Sequence, residues 1–304
     1  MADAAVTVSE LVRVAAERIS ASGSGSARLD AELLLAQTLG IDRTGVLAHP
    51  DAPVGPDARQ AFEVAVKRRE RGEPVAYIRG FREFHGLAFA TDSRALIPRP
   101  ETELLVDAAI DEIVARLTAT PRLPGAPALR VVDVGTGTGA IAVSVLAALR
   151  RRKMADQVMV IAIDVSEEAL QLARENAVGH GVADRMVFVT ADLLPHHVEP
   201  PYAVVCANLP YVPTGDLPAL SPELAYEPRA ALDGGPDGLD VLRRLLDRLT
   251  EITEPDGIAL LEIGAEQGEA VAAEVAGRLP GARCTVMPDL AGRPRLVRIE
   301  LSPA

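Results

Sequence analysis

Val131-Val132-Asp133-Val134-Gly135-Thr136-Gly137-Thr138-Gly139 joins a short, mostly apolar run to three glycines that fall on every second residue. The apolar run predicts a buried strand, and the apolar residues from about 140 to 152 predict a helix after the glycines. Glycine has no Cβ atom, so this segment can turn sharply and approach another group closely. A strand, a glycine-rich turn and a helix in this order predict the first unit of an α/β sheet.

Strands and helices alternate over the rest of the C-terminal part. Short apolar runs predict further strands at 158–163, 186–190, 203–207, 258–263, 284–287 and 296–301. This alternation implies an open, mostly parallel sheet with helices on both faces, and therefore the α/β fold class. Ligands bind such sheets at the carboxyl ends of the strands, so the residues there are candidates for a site.

The N-terminal part has a different pattern. Residues 1–80 predict helices, with Thr7 and Glu10 at capping-box spacing, and we expect them to form a small bundle. Aromatic and β-branched residues with glycines between them, from 75 to 89, predict a β-hairpin. We therefore expect residues 81–98 to link the bundle to a domain formed by residues 99–304. The bundle carries no catalytic constellation, and its sequence leaves a scaffold role and a substrate-recognition role equally open.

Composition excludes several classes of protein. The chain has 304 residues, a net charge of −12 and 3% aromatic residues without tryptophan. The negative charge disfavours a protein that covers a phosphate backbone, and the lack of aromatics disfavours stacking on single strands. No apolar run reaches the roughly 18 residues of a membrane span, and the two cysteines and five histidines show no metal-ligand spacing. We expect a cytoplasmic monomer that binds no metal, no membrane and no nucleic acid directly.

Three successive strand ends carry residues suited to one nucleoside-containing cofactor. A dinucleotide fingerprint needs glycine at position 140, but this chain has alanine there, and its glycine spacing favours S-adenosylmethionine. Asp164 could accept hydrogen bonds from both ribose hydroxyls, or it could be a charge at a helix N-terminus. Asp192 could accept from the exocyclic amine of adenine while Leu193 covers the ring. The predicted cofactor residues are Gly135, Thr136, Gly137, Thr138, Gly139, Asp164, Asp192, Leu193 and Asn208.

The fourth predicted strand of the sheet ends in Asn208-Leu209-Pro210-Tyr211. An asparagine at the end of a buried strand must satisfy both a donor and an acceptor. Its carbonyl group and a backbone carbonyl of the following turn could hold both hydrogens of an NH2 group, with Tyr211 packed on the planar group that bears it. The alternative is a simple asparagine-initiated turn stiffened by proline. We predict methylation of a planar, poorly nucleophilic nitrogen, with Asn208, Leu209, Pro210 and Tyr211 as the catalytic residues.

Four motifs together resemble one family. Asn208-Leu209-Pro210-Tyr211 resembles the Asn-Pro-Pro-Tyr signature of amino-methyltransferases. Together with three further stretches it resembles the peptide chain release factor glutamine methyltransferases, the HemK or PrmC family. Those stretches are Glu73-Pro74-Val75-Ala76-Tyr77-Ile78, Leu96-Ile97-Pro98-Arg99-Pro100-Glu101-Thr102-Glu103 and Glu227-Pro228-Arg229-Ala230-Ala231-Leu232-Asp233-Gly234-Gly235.

The resemblance covers nearly the whole chain and has several implications. It implies a Rossmann-like class I methyltransferase sheet of seven strands, the last antiparallel, with S-adenosylmethionine as the methyl donor. The implied substrate is the glutamine side-chain amide in the Gly-Gly-Gln motif of class 1 peptide chain release factors. Leu209 replaces the usual first proline of the signature. Leucine can still supply the backbone carbonyl there, but the stiffness of the turn changes.

Other readings of the same signature remain open. A ribosomal-protein glutamine methyltransferase shares it, although the stretch from Arg99 to Glu103 looks more like the release factor enzymes. DNA adenine-amine methyltransferases also share it, but they need a basic duplex-binding surface and a recognition insert, which this acidic chain lacks. A scaffold without activity is disfavoured because Asn208, Pro210 and Tyr211 are all present.

Overall fold

The computed structural model describes residues 6–122, 125–195 and 201–301. Within these residues, no helix combines the length and the apolar character that a membrane span requires. The chain divides into two compact units. The first comprises the described residues up to Phe81 together with Ser221–Tyr226, and the second comprises Arg82–Leu220 and the residues from Glu227 onward.

The first unit is helical. Its helices are α1 (Val8–Ala21), α2 (Ala27–Leu39), α3 (Arg43–Ala48), α4 (Pro56–Glu70) and α5 (Val75–Arg79). The capping box predicted at the start of α1 is confirmed, because Thr7 and Glu10 each accept a hydrogen bond from the other's backbone N–H. The apolar faces of the helices bury a common core that contains Ile19 of α1, Leu34 of α2 and Phe62 of α4.

A buried ion pair connects helices α2 and α4. Arg69 donates to Asp30 at 2.7 Å, and the two side chains are only 2% and 7% exposed. Arg69 also pairs with Glu223, and the Tyr226 hydroxyl donates to the carbonyl of Arg71 at 2.9 Å. A buried charge that loses its partner is strongly destabilising. These contacts explain why the distant segment Ser221–Tyr226 belongs to the helical unit.

The hairpin is shorter than the sequence predicts. It consists of β1 (Phe81–Phe84) and β2 (Leu87–Ala90). The prediction that residues 75–78 belong to it was wrong: they lie in α5, which follows Pro74 and ends at Gly80 in the left-handed conformation, with φ of 79°. Phe84 and Phe89 are almost completely buried in the core of the second unit.

The second unit contains the predicted seven-stranded sheet. Its strands lie in the order β5-β4-β3-β6-β7-β9-β8. Strands β3 to β7 run parallel, and β9 is antiparallel to both of its neighbours. The predicted α/β class and the antiparallel last strand are therefore confirmed. The strands are β3 (Leu129–Val134), β4 (Val158–Asp164), β5 (Met186–Thr190), β6 (Tyr202–Ala207), β7 (Thr253–Glu262), β8 (Arg283–Pro288) and β9 (Pro294–Glu300).

Helices cover both faces of this sheet. Val131 and Val132 are neighbours in β3 but belong to different core clusters, because successive side chains of a strand point to opposite faces. The first cluster includes residues of α6, α7 and α8, and the second includes residues of α9, α10 and α11. These helices are α6 (Glu103–Ala119), α7 (Ala140–Arg151), α8 (Glu167–Gly179), α9 (Asp240–Leu246), α10 (Leu249–Ile252) and α11 (Gly268–Arg278).

The strand order reverses next to β3. The chain continues from β3 to β4 on one side, and it later returns to β6 on the other side. Val134 at the end of β3 is paired with Ile163 of β4 and with Ala207 of β6. The carboxyl ends of these three strands therefore lie side by side, and a crevice opens at such a switch point.

Candidate active site

A cavity of about 310 Å³ lies at this switch point, within the second unit. That volume is at the lower end of the range of small-molecule pockets. Most of the residues predicted to bind cofactor or substrate line it: Gly135, Thr136, Gly137, Thr138, Asp164, Asp192, Leu193, Asn208, Leu209 and Pro210. Gly139 and Tyr211 are outside this lining. Among the residues that the structure describes, no group of acidic, histidine and cysteine side chains could hold a metal ion.

The glycine loop after β3 depends on left-handed backbone. Gly135, Gly137 and Gly139 have φ angles of 73°, 54° and 77°, which side chains with a Cβ atom rarely adopt. The N–H groups of Gly135 and Thr136 both donate to the Ile163 carbonyl at 2.9 Å. The alternation of glycine with threonine therefore follows from the path of the loop. At Gly139 a Cβ atom would lie 3.1 Å from that of Ala173, so this glycine serves the packing of α7 against α8.

Asp133, in strand β3, is hydrogen-bonded to the glycine loop. Its side chain is buried, and Oδ2 accepts from the Thr136 hydroxyl at 2.7 Å and from the Ala142 N–H at 3.3 Å. Burial raises the pKa of this carboxyl group to about 7. The sequence reasoning did not assign Asp133 a role, although an acidic residue inside an otherwise apolar strand was a signal that could have found it.

Asp164 is hydrogen-bonded to the glycine loop and to the start of helix α8. One carboxylate oxygen accepts from Gly137 N–H at 2.9 Å, and the other accepts from Ser166 N–H at 3.0 Å, just before helix α8. A carboxylate offers about four lone pairs, so two such bonds leave room for two hydroxyl donors from the cavity. Asp164 therefore joins the glycine loop to the helix start and still faces the cavity.

The turn after β5 is strained. Leu193 has a φ angle of 64°, a conformation that is rare for a leucine, and it lines the cavity. Strained residues of this kind cluster at ligand sites, where the surrounding structure holds them. Asp192 beside it forms an ion pair with Arg244 of α9 at 2.7 Å, and both side chains are more than half exposed. The sequence reasoning missed Arg244, because α9 lies 52 residues further along the chain.

Asn208 is hydrogen-bonded to Thr102, which is hydrogen-bonded in turn to Glu262, and the sequence reasoning assigned neither residue a role. Its Nδ2 atom donates to the hydroxyl of Thr102 at 3.1 Å, and this hydroxyl donates to Oε2 of Glu262 at 2.6 Å. Thr102 and Glu262 are each only 4% exposed. Burial raises the pKa of the Glu262 carboxyl group to about 7. The pKa of Tyr211, three residues after Asn208, is also raised, mainly by burial and then by the charge of Glu262.

Glu227 is hydrogen-bonded to two residues that line the cavity. Its buried carboxylate accepts from the Ile97 N–H at 2.9 Å and from the Arg99 guanidinium. Ile97 and Arg99 line the cavity, as does Pro228. Two of the four family-like motifs, the one at 96–103 and the one at 227–235, thus meet here through a charged hydrogen bond across 128 residues of sequence.

Comparison with known proteins gives matches over most of the chain. The family described as PrmC N-terminal domain matches residues 10–80, and the one described as Methyltransferase domain matches residues 126–213. The release factor glutamine methyltransferase of Deinococcus radiodurans is 38% identical over 289 residues, which cover 95% of this chain and 96% of that protein. The one of Cereibacter sphaeroides is 39% identical over 301 residues, which cover 97% of this chain and 99% of that protein.

The fold is also found in a solved structure of low sequence identity. The hMettl16 catalytic domain, solved in complex with the MAT2A 3′UTR hairpin 6, is 14% identical and aligns with a TM-score of 0.52. This alignment covers 85% of this chain and 86% of that one. A protein-(glutamine-N5) methyltransferase (release factor-specific) from Alicyclobacillus acidocaldarius is 27% identical, with a TM-score of 0.39, over 71% of this chain and 100% of that one.

The fold and the site together define a class I methyltransferase: a seven-stranded sheet with an antiparallel strand β9, and a glycine loop next to the end of strand β6. The similar proteins identify the family more narrowly than the fold does. This chain belongs to the family of the release factor glutamine methyltransferases. It is an enzyme of the methyltransferase class.

Proposed function

We propose that this enzyme transfers a methyl group from S-adenosylmethionine to the glutamine side-chain amide in the Gly-Gly-Gln motif of class 1 peptide chain release factors. The observation that carries the proposal is that the glycine loop and Asn208 line the same cavity. It is supported by relatives named release factor glutamine methyltransferases. We propose that the enzyme acts as a cytoplasmic monomer on protein, without direct contact with nucleic acid.

The residues of the cavity fit S-adenosylmethionine. The left-handed glycines leave a backbone surface without Cβ atoms on the side where the methionyl part would lie. Asp164 has lone pairs left for the ribose hydroxyls, and Leu193 is held in a strained conformation where it can cover an adenine ring. When bound, S-adenosylmethionine supplies an electrophilic methyl group on a positively charged sulfur.

The residues of the Asn208 turn fit a primary amide. An amide nitrogen shares its lone pair with the carbonyl group and is a weak nucleophile. In this proposal, the side-chain carbonyl of Asn208 accepts one N–H of the substrate and the backbone carbonyl of Leu209 accepts the other. Two acceptors fix the nitrogen in space and stabilise the positive charge that develops on it during attack.

No general base is required for this reaction. The amide nitrogen becomes strongly acidic once it is alkylated, so its proton can leave to solvent after the new bond has formed. Orientation of the reacting groups can supply about 7–11 kcal/mol at best. The protein therefore acts by binding and orientation, and the carboxylates Asp133 and Asp164 hold the glycine loop.

The experiment offers labelled S-adenosylmethionine and several acceptors to the purified full chain. We expect mass spectrometry to find one added methyl group on the glutamine of the Gly-Gly-Gln peptide of an intact release factor. A release factor with alanine in place of this glutamine is the matched control and must stay unlabelled. Labelling of a ribosomal protein or of duplex DNA, with the release factor unlabelled, would replace the proposal by the corresponding alternative.

A further inference from the structure

We propose that Thr102 and Glu262 are positioning residues that decide which end of the Asn208 side-chain amide faces the cavity. The inference rests on the proposed function, because it concerns the acceptor for the substrate amide. Glu262 ends strand β7, Thr102 lies just before helix α6, and Asn208 follows strand β6. Their side chains form one hydrogen-bonded chain.

Glu262 determines the direction of these hydrogen bonds. An ionised carboxylate can only accept, so the single hydroxyl proton of Thr102 must point to Glu262, at 2.6 Å. The Thr102 oxygen then has only lone pairs to offer. Asn208 must therefore direct its NH2 group toward Thr102, at 3.1 Å, and its carbonyl oxygen is left for the cavity.

The two ends of an asparagine amide have nearly the same shape, so packing alone distinguishes them poorly. Only the carbonyl end can accept an N–H from a substrate amide. Thr102 and Glu262 are each 4% exposed, so solvent has little access to replace either hydrogen bond. The orientation that the reaction needs is thus set from the interior of the protein.

Protonation of Glu262 at Oε2, the oxygen that faces Thr102, reverses these hydrogen bonds. The acid proton would be donated to the Thr102 oxygen, the Thr102 proton would turn to Asn208, and the amide would present its NH2 group to the cavity. Arg295 on the neighbouring strand and Arg99 favour the ionised form of Glu262, and Glu101 disfavours it. Burial is the largest effect and raises the pKa of Glu262 to about 7, while Tyr211 faces the same charge.

The sequence makes a direct test possible, because the chain contains only two asparagines, Asn176 and Asn208. In full-length protein labelled with 15N-asparagine, NMR will therefore show two side-chain NH2 groups. Asn176 is an internal reference, since its NH2 group is fixed by the carbonyls of Ala90 and Thr138. We expect the Asn208 signals, assigned by their loss in Asn208→Ala, to shift as the pH is raised through 7.

In Glu262→Gln, which cannot ionise, this shift should disappear. Asn208 signals that do not titrate in the wild type, or that titrate unchanged in Glu262→Gln, overturn the inference. This measurement needs neither substrate nor cofactor. It therefore remains decisive even if the proposed function fails and the wild type methylates no glutamine.

Kinetics test the consequence for the reaction. Thr102→Val keeps the shape of the side chain and removes the hydroxyl, and we expect it to lower kcat by on the order of 10²-fold. Cofactor affinity should stay unchanged, and Thr102→Ser should restore most of the rate. Thr118→Val, which removes an exposed hydroxyl from helix α6, is the matched control. Wild-type kcat in folded Thr102→Val would refute the positioning role.

Discussion

The side chain of Leu209 lies on the side of Gly135 where another residue would carry its Cβ atom. A Cβ atom at Gly135 would lie 3.4 Å from Cδ2 of Leu209, which is a normal van der Waals contact. Leu209 is buried, and both residues line the cavity. The turn that we propose to hold the substrate amide thus lies next to the loop that we propose to hold the cofactor. Leu209, the one departure from the family signature, makes this contact.

Leu209→Ala tests that contact. The change removes buried methyl groups beside the glycine loop, and we expect the free energy of unfolding to fall by about 2–3 kcal/mol. Cofactor affinity should fall as well, because the loop loses its support. Denaturant titration and calorimetry measure the two effects. Leu209→Pro, which restores the usual signature, is the comparison and should keep methyl transfer. A stable Leu209→Ala with wild-type affinity would show that the contact is unimportant.

Asp164→Ala should weaken S-adenosylmethionine binding. Each hydrogen bond to a charged group contributes about 1.5–3 kcal/mol, and the change also releases the bonds to Gly137 and Ser166. Asp164→Asn, which retains one carbonyl oxygen, should lose less affinity. Calorimetry with the cofactor measures both variants, and equal affinity in Asp164→Ala and the wild type would overturn the assignment of this residue.

Asn208→Ala should separate catalysis from cofactor binding. The residue follows the last residue of β6 and is not part of the apolar core, so the fold should persist. We expect the methylation rate to fall by on the order of 10²-fold, with a much smaller change in cofactor affinity. Equal losses in the two quantities would mean that Asn208 serves mainly the cofactor.

The buried carboxyl group of Glu262 predicts how stability depends on pH. Folding raises its pKa from 4.5 to about 7, so the folded protein binds more protons than the unfolded chain between these values. The free energy of unfolding should therefore fall as the pH rises from 4.5 to 7. In Glu262→Gln this decrease in the free energy of unfolding should be smaller by up to roughly 3 kcal/mol.

In Glu262→Gln the free energy of unfolding should still depend on pH to some extent. The reason is that the pKa of Asp133 is also raised, to about 7. Urea titrations of wild type and Glu262→Gln over this pH range measure the difference. Identical slopes in the two proteins would contradict the buried, ionisable state of Glu262 on which the prediction depends.

The role of the helical unit can be tested by truncation. A protein that begins at Arg82 keeps Phe84 and Phe89, whereas a start at Leu96 would remove both from the core of the second unit. We expect the protein that begins at Arg82 to bind S-adenosylmethionine and to methylate an intact release factor poorly. Its loss of activity on a short Gly-Gly-Gln peptide should be smaller, because such a peptide lacks the rest of the factor that the helical unit would recognise.

Circular dichroism must first show that the truncated protein is folded, since the segment Ser221–Tyr226 loses its helical partners. Labelling rates on the intact factor and on the peptide are then compared with those of the full chain. A folded truncated protein that methylates the intact factor as fast as the full chain would mean that the helical unit is a scaffold.

Local patterns in the sequence were sufficient to predict the sheet and part of the cavity lining. Alternating strands and helices fixed the class, and parallel strands bring their carboxyl ends to one edge, so Gly135, Asp164 and Asn208 could be grouped without coordinates. Where two local patterns competed, the prediction from the sequence was wrong. Residues 75–78 have the β-branched and aromatic character of a strand, but Pro74 and Gly80 delimit a short helix there.

Only the tertiary structure revealed what holds the site in place. Asn208 lies 106 residues after Thr102, and Glu262 lies 160 residues after Thr102. No sequence periodicity connects the three residues. They meet because strands β6 and β7 are neighbours and helix α6 packs on both. A hydrogen-bond partner distant in sequence depends on the path of the whole chain. The sequence by itself therefore predicted ten of the residues that line the cavity, and the fold decided which buried residues hold the Asn208 side chain.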